Sequence, residues 1–253
     1  MGAALVGAML YDKAWIEPIT PYLGQEYDSD HFVELIEKID PADWYRYSKI
    51  RTRRLKKEQL EVRRYRDKDE FLDAVADLVA DDQVVGFLNG RFENGPRALG
   101  NRSILCRADN VQLAKSMSRE IKLRADFRPY ACAMTDTYAE RCLKESYGGN
   151  LTRWMQASFR VNDEFVSELR AGLHVDFTTR AQVVTQEENE VFYRLLKKYG
   201  NRTGVEALIN TSFNEQGFPI VASPVEALIM FARTNLRYLA IENVIVIKTD
   251  KDA

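Results

Sequence analysis

A glycine- and arginine-rich stretch over residues 90–103 constrains this chain more than any other part of its sequence. It reads GRFENGPRALGNRS and follows an apolar run over residues 84–88 that is typical of a strand. Glycines let the backbone turn tightly beside a ligand, and arginine side chains pair with phosphate oxygens in bidentate fashion. The pattern therefore predicts a phosphate-binding turn. Because the stretch lacks the Gly-Lys-Ser/Thr ending of a P-loop, a surface loop with solvated arginines is the alternative.

The composition favours one large domain, or one domain with an appendage. The chain has 253 residues, of which 45% are hydrophobic, enough for a sizeable core. Its formal net charge is −2, which argues against a surface built as a whole for nucleic acid.

The cysteine and histidine content predicts a cytoplasmic protein without a transition-metal site of its own. The three cysteines, Cys106, Cys132 and Cys142, form no CxxC pair, and an odd number of them fits a reducing compartment. The two histidines, His31 and His174, cannot build a His-rich metal motif. No apolar run reaches the roughly 18 residues that span a bilayer, so no membrane association is expected.

Hydrophobic periodicity predicts alternating helices and strands. Helices are expected over residues 1–10, 28–38, 70–80, 110–120, 136–144, 187–199 and 224–233, the last capped by Ser223. Strands are expected over residues 84–88, 104–106, 130–134, 156–161, 181–185, 207–209, 220–221 and 244–247. Alternating elements of this kind indicate an α/β domain.

Polar and basic stretches outside the loop suggest further ligand contacts, each with a simpler interpretation. Residues 49–66 are strongly basic; we favour a solvated connector over a nucleic-acid patch, because few aromatic residues interleave for stacking. Lys122, Arg124 and Arg128 could clamp phosphates or form a solvated helix end. Residues 210–214, NTSFN, could bind a nucleotide or planar amide or simply form a turn. Arg180, after an HVD stretch over residues 174–176, is a weaker candidate for phosphate.

In combination these stretches resemble the C-terminal domain of the NodU/CmcH-type O-carbamoyltransferases. The shared motifs are GPRALGNRSIL at 95–105, FRP at 127–129, HVD at 174–176 and NTSFN at 210–214, in an order and spacing that agree from about Gly2 to Lys248. The resemblance implies a YrdC-like α/β fold with a twisted, partly open mixed sheet flanked by helices, here with an N-terminal helical extension. It divides the chain into an extension and linker over residues 1–66 and a YrdC-like domain over residues 67–253.

The resemblance also implies the chemistry and the residues that perform it. The family's YrdC-like domain forms carbamoyl adenylate from carbamoyl phosphate and ATP and releases pyrophosphate, and Mg²⁺ is expected with the ATP. Carried over by position, the motifs predict Arg97, Lys122 and Arg128 as catalytic residues that neutralise phosphoryl charge. Substrate or ATP contacts are predicted at Arg91, Asn101, Arg102, Ser103, Arg180, Asn210, Ser212 and Asn214.

A partner is implied as well, because residues 1–10 resemble only the last helix of the family's Kae1-like domain. That domain has the actin/Hsp70-like fold, holds a metal, usually iron, and passes the carbamoyl group to a hydroxyl. We therefore expect a heteromer with a Kae1-like subunit that carries the iron. The acceptor stays open among an antibiotic, an oligosaccharide and a hydroxylated nucleotide or nucleic-acid base. The other possibilities are a nucleotide- or RNA-binding module and a regulatory subunit, both without chemistry of their own.

Overall fold

A mixed sheet forms the centre of the computed structural model, which describes residues 20–38, 59–145 and 150–249. In chain order the strands are β1 Leu60–Arg64, β2 Val85–Leu88, β3 Arg102–Arg107, β4 Ala131–Thr135, β5 Phe159–Arg160, β6 Thr178–Thr179, β7 Gln182–Val184, β8 Ala207–Ser212, β9 Tyr238–Ile241 and β10 Val244–Lys248. The α-helices are α1 Ser29–Lys38, α2 Lys68–Ala80, α3 Val111–Ser116, α4 Asp136–Cys142, α5 Asn150–Arg153, α6 Val166–Leu169, α7 Glu190–Thr203 and α8 Pro224–Arg233. A π-helical turn over Met117–Ile121 continues α3.

The sheet has eight strands in the order β1-β10-β9-β2-β3-β8-β4-β7, and β5 pairs separately with β6. β2 is parallel to β9 and β4 is parallel to β7, whereas the other neighbours in the large sheet are antiparallel. The predicted α/β class with a mixed sheet flanked by helices is confirmed.

Two hydrophobic cores cover the two faces of the sheet, because successive side chains of a strand point to opposite faces. In β3, Ile104 and Cys106 belong to one core and Leu105 belongs to the other. Helices α2 and α7 pack against each other over the Leu105 core. Helices α1, α3, α4 and α8 contribute to the opposite core. Since both faces are covered, polar functional groups gather at the strand ends.

Helix α8 begins where the sequence predicts. The Ser223 hydroxyl accepts the backbone N–H of Glu226 at 3.3 Å, and the Glu226 carboxylate accepts the backbone N–H of Ser223 at 3.2 Å. This reciprocal capping box, with Pro224 in the first turn, satisfies donors that a helix start leaves free. The predicted cap at Ser223 is confirmed.

Hydrophobic periodicity failed to predict two short segments correctly. The strand predicted over residues 220–221 is wrong: this segment is irregular, and Val221 donates one backbone hydrogen bond to Phe213 at 3.0 Å. Pro219, just before it, has no N–H to offer a ladder. Conversely, β9 was not predicted, although it is buried between β2 and β10.

The large sheet also includes the end of the basic segment over residues 49–66, which was expected to be a connector. β1 is paired with β10 from Leu60 to Arg64, so the sheet begins before the predicted domain boundary at residue 67. Residues 49–58 and the helix predicted over residues 1–10 lie outside the described residues.

Within the described ranges, no helix is both long and apolar enough to cross a bilayer. The same residues contain no group of three or more His, Cys, Asp or Glu side chains that could hold a metal ion.

Candidate active site

The carboxylate of Glu93 organises the glycine- and arginine-rich loop from inside. Its Oε1 accepts the backbone N–H groups of Leu99 at 2.9 Å, Asn101 at 2.7 Å and Arg102 at 3.0 Å. Burial raises the pKa of this carboxyl group, and the hydrogen bonds from the backbone counteract part of that rise. The loop is therefore folded around one acceptor that supplies three backbone donors with a partner.

Arg102 reinforces the same loop and does not project from it. Its side chain is fully buried and donates to backbone carbonyl oxygens only, those of Gln25, Asn89, Gly90, Asn101 and Ala222, at 2.9–3.3 Å. The sequence predicted a substrate contact at Arg102. The structure instead commits its donors to the loop and to two neighbouring segments of backbone.

Three other predicted contact residues also belong to the loop's own framework. The Ser103 hydroxyl accepts the N–H of Gly100 at 3.1 Å, and it is fully buried. Asn101 donates to the carbonyl oxygen of Arg91 at 2.8 Å and accepts from Asn189 at 2.8 Å. The Arg91 side chain is exposed on the outer side, 3.7 Å from the Glu26 carboxylate.

The outer half of the loop forms one wall of a small cleft, called the arginine cleft below. The antiparallel register pairs Ser212 at the end of β8 with Ser103, and Asn210 with Ala131 at the start of β4. The end of β8 therefore meets the loop before β3 and the segment before β4. The cleft has a volume of about 120 Å³ and is lined by Pro96, Arg97, Ala98, Arg124, Pro129, Tyr130, Ala131, Met155, Arg180, Asn210, Thr211 and Ser212.

The arginine cleft carries a concentration of positive charge. Among the described residues, no carboxylate lies within 4.0 Å of the guanidinium groups of Arg97, Arg124 or Arg180. Arg97 and Arg180 line the same cleft, and burial, followed by the charge of Arg97, lowers the pKa of Arg180. Arg124 lies over the Tyr130 ring, 4.0 Å from its centroid. Like charges held together in this way provide a site for an anion.

Lys122 is a fourth cation, held directly behind Ser212. Its Nζ donates to the Ser212 carbonyl oxygen at 2.5 Å, to the Ser212 hydroxyl at 3.2 Å and to Asn214 Oδ1 at 2.7 Å. The residue is 4% exposed and, within the described part of the chain, has no carboxylate partner. Burial, followed by the charge of Arg124, lowers the pKa of Lys122 to about 7. Asn214 in turn donates to the carbonyl oxygen of Phe218 at 2.6 Å, so it serves as a support for Lys122.

Arg128 lies apart from the other predicted catalytic residues. Its side chain lines a neighbouring cavity of about 720 Å³ that shares Pro129 and Tyr130 with the arginine cleft. Lys115, Arg170, His174, Phe127 and Val175 also line this cavity. The chain reverses at Leu123, which has a φ of +49°, and this turn precedes the segment that directs Arg124 to one cavity and Arg128 to the other.

Three residues at the site were not among the predicted site residues. Arg124 was recognised as one member of a basic cluster that could clamp phosphates, but the sequence analysis chose Arg128 from that cluster as the catalytic residue. Glu93 was visible only as an acidic residue inside a basic loop. Gln182 lies at the start of β7 and reaches the site through Asn210, at 2.7 Å, and no local pattern marked it.

A family model described as carbamoyltransferase C-terminus matches residues 76–248, and all of the cleft lies within that range. The chain belongs to this family.

Known relatives agree with this placement, and a solved structure shares the fold. Nodulation protein NolO of Bradyrhizobium diazoefficiens is 33% identical over 173 residues, covering 68% of this chain and 32% of the relative. The 3'-hydroxymethylcephem-O-carbamoyltransferase of Streptomyces clavuligerus is 35% identical over 146 residues, covering 57% of this chain and 26% of the relative. The crystal structure of full-length HypF in its phosphate- and nucleotide-bound form superposes with a TM-score of 0.50 at 15% identity, over 74% of this chain and 22% of HypF. That likeness supports the fold. The chain spans about a third of the length of the curated relatives it matches.

Proposed function

We propose that this chain is the carbamoyl-adenylate-forming part of a carbamoyltransferase. The observation that carries the proposal is the arginine cleft, where Arg97, Arg124 and Arg180 converge without a carboxylate counter-charge among the described residues. In a chain of this family, the small anion that such a cleft fits is carbamoyl phosphate.

The neighbouring cavity is the place we assign to ATP. Its volume of about 720 Å³ falls in the range of roughly 300–1,000 Å³ found for pockets that enclose a ligand of nucleotide size. Its wall carries the cations Lys115, Arg128 and Arg170, which outnumber the carboxylates Asp126 and Asp176 and are the groups we assign to the phosphates. The two cavities adjoin at Pro129 and Tyr130. The two substrates would meet there, with Mg²⁺ entering on the ATP phosphates.

The reaction balances with water as the third reactant. Carbamoyl phosphate, ATP and water yield carbamoyl adenylate, phosphate and pyrophosphate. Water cleaves the bond between the carbamoyl carbon and the phosphate oxygen, and the resulting carbamate oxygen attacks the α-phosphorus of ATP as pyrophosphate leaves. The arginines and Lys122 neutralise charge on the phosphoryl groups in both steps, which is the main contribution a protein makes to such transfers.

Transfer to an acceptor hydroxyl is assigned to a Kae1-like companion, either a subunit or a further region of the same polypeptide. The relatives are about three times as long as the matched part, which leaves room for such a region in them. Iron would belong to the companion.

The decisive experiment measures exchange of labelled pyrophosphate into ATP by the purified chain. We expect exchange that depends on carbamoyl phosphate. The proposal fails if no exchange occurs with or without the companion, or if omitting carbamoyl phosphate leaves the rate unchanged. A module that only binds nucleotide or RNA, or a regulatory subunit, would give that negative result.

A further inference from the structure

Two buried polar atoms of residues that line the arginine cleft have no hydrogen-bond partner among the described residues, the donor Arg124 Nε and the acceptor Asn210 Oδ1. Asn210 lines the cleft and is 2% exposed, and its Oδ1 accepts no hydrogen bond from any described residue. Its Nδ2, by contrast, donates to Gln182 Oε1 at 2.7 Å and to the carbonyl oxygen of Ala98 at 3.2 Å. Leaving a buried acceptor unpaired costs about 1–3 kcal/mol. A bound ligand with an N–H or O–H group would remove that cost.

The orientation of the Asn210 amide is determined by a chain of contacts that starts at the backbone. The carbonyl oxygen of Leu99 can only accept, and it receives the Gln182 Nε2 group at 2.8 Å. The Oε1 atom of Gln182 therefore faces Asn210, and because this oxygen can only accept, Asn210 must donate to it through Nδ2. The carbonyl oxygen of Ala98 requires the same orientation, which leaves Oδ1 as the atom without a partner.

The other polar side chains of the cleft are mainly donors that suit an anion. Arg97, Arg124 and Arg180 carry guanidinium groups, so the Asn210 oxygen stands out as an acceptor among them. A ligand that satisfies both kinds of group must combine a negatively charged end with an N–H donor at the other end. Carbamoyl phosphate has both, a phosphate and an amino group on one carbonyl carbon. An adenine amino group is a poorer match, because a cleft of about 120 Å³ is far smaller than pockets that enclose a nucleotide.

We infer that Asn210 Oδ1 accepts a hydrogen bond from the carbamoyl amino group, and that Gln182 is the positioning residue that orients it. This inference rests on the proposed function and deepens it. It makes Asn210 the residue that distinguishes carbamoyl phosphate from acetyl phosphate, in which a methyl group of similar size replaces the amino group. A site built to bond an N–H rejects an analogue that lacks it, since its own polar group is then left unpaired.

The test compares the two acyl phosphates in the pyrophosphate exchange assay. For the unmodified chain we expect kcat/KM to be about 10- to 100-fold higher with carbamoyl phosphate than with acetyl phosphate, the factor that one unpaired buried acceptor supplies. Equal use of both would overturn the inference while leaving the proposed function intact. Absence of exchange with carbamoyl phosphate would remove the proposed function and this inference together.

Variants then test which residues cause the preference for carbamoyl phosphate over acetyl phosphate. Asn210→Leu keeps the approximate shape without the acceptor, and Gln182→Leu frees the Asn210 amide to rotate; in both, we expect the preference for carbamoyl phosphate to fall towards unity. Asn243→Leu is the matched control, because Asn243 Oδ1 also lacks a partner among the described residues but lies between β9 and β10, away from the cleft. This variant should keep the full preference. An unchanged preference in a folded Asn210→Leu or Gln182→Leu variant would contradict the assignment. If both fail to fold, the comparison in the unmodified chain decides.

Discussion

Arg97 and Arg102 stand five positions apart in the glycine- and arginine-rich stretch and have opposite environments. Arg102 is fully buried, and its donors are taken up by backbone carbonyl oxygens. Arg97 is exposed on the wall of the arginine cleft and, among the described residues, has no carboxylate within 4.0 Å. The same residue type thus holds the loop in one case and lines the arginine cleft in the other.

The difference extends to the two halves of the loop. The inner half, which includes Leu99, Asn101 and Arg102, has its donors paired by Glu93 and by backbone. The outer half presents Arg97, which has no carboxylate partner within the described part of the chain. If the proposed function is correct, stability depends on the inner half of the loop and ligand binding on the outer half, and substitutions in each half should affect one property much more than the other.

The largest effect should come from Arg102→Ala, which breaks the inner half. Removing this side chain leaves several buried carbonyl oxygens with fewer donors, so we expect the free energy of unfolding to fall by about 4 kcal/mol. Urea unfolding followed by circular dichroism measures it. Arg97→Ala is the control and should change the same quantity by no more than about 0.5 kcal/mol. Equal stability losses in the two variants would refute the division of the loop.

Arg97→Ala should lower the activity strongly while leaving the stability almost unchanged. Loss of one charge-assisted donor at a phosphoryl group costs about 3 kcal/mol in the transition state, so we expect kcat/KM for pyrophosphate exchange to fall by roughly 10²–10³-fold. The melting temperature should stay near that of the unmodified chain. Near-normal exchange in the folded variant would show that the cleft does not contact the reacting groups.

Lys122 should make both stability and substrate use depend on pH. Its pKa is lowered to about 7 in the folded chain, so above pH 7 the unfolded chain binds more protons, and the free energy of unfolding rises with pH. Substrate binding should move the other way: KM for carbamoyl phosphate should rise about tenfold between pH 6.5 and 8.5 as the ammonium loses its proton. Steady-state kinetics across that range would show it.

Lys122→Met is the matched control for that prediction, since it has no titrating group at the position. Its KM should be higher and should follow pH only as far as the substrate itself does. Parallel pH profiles for Met and Lys at position 122 would rule out a role for this amine in binding.

The smallest expected effects are changes in KM that show which substrate each of the two cavities binds. Arg124→Gln should raise KM for carbamoyl phosphate about fivefold and leave KM for ATP unchanged, because Arg124 lines the arginine cleft. Arg128→Gln should raise KM for ATP instead, because Arg128 lines the neighbouring cavity. Initial rates with each substrate varied in turn measure both constants. If Arg124→Gln raised KM for ATP and Arg128→Gln raised KM for carbamoyl phosphate, the two substrates would have to be assigned to the opposite cavities.

Much of the fold could be predicted because local signals are strong in this chain. The periodicity of α2 and α7 and the capping residues of α8 specify elements without reference to distant residues. β9 escaped prediction because its short apolar run becomes a strand only between β2 and β10. The order of the sheet likewise depends on pairing between distant segments, and no local pattern encodes it.

By itself, the sequence determined the family, the basic character of the site and most of the residues that meet there, since arginine-rich and polar motifs keep their chemistry wherever the chain places them. Only the tertiary structure decided their roles. It buried Arg102, separated Arg128 from Arg97, brought Arg124 to the cleft and placed Gln182 behind Asn210. The physical reason is that a donor's role depends on which acceptors surround it, and those acceptors come from segments far apart in the chain.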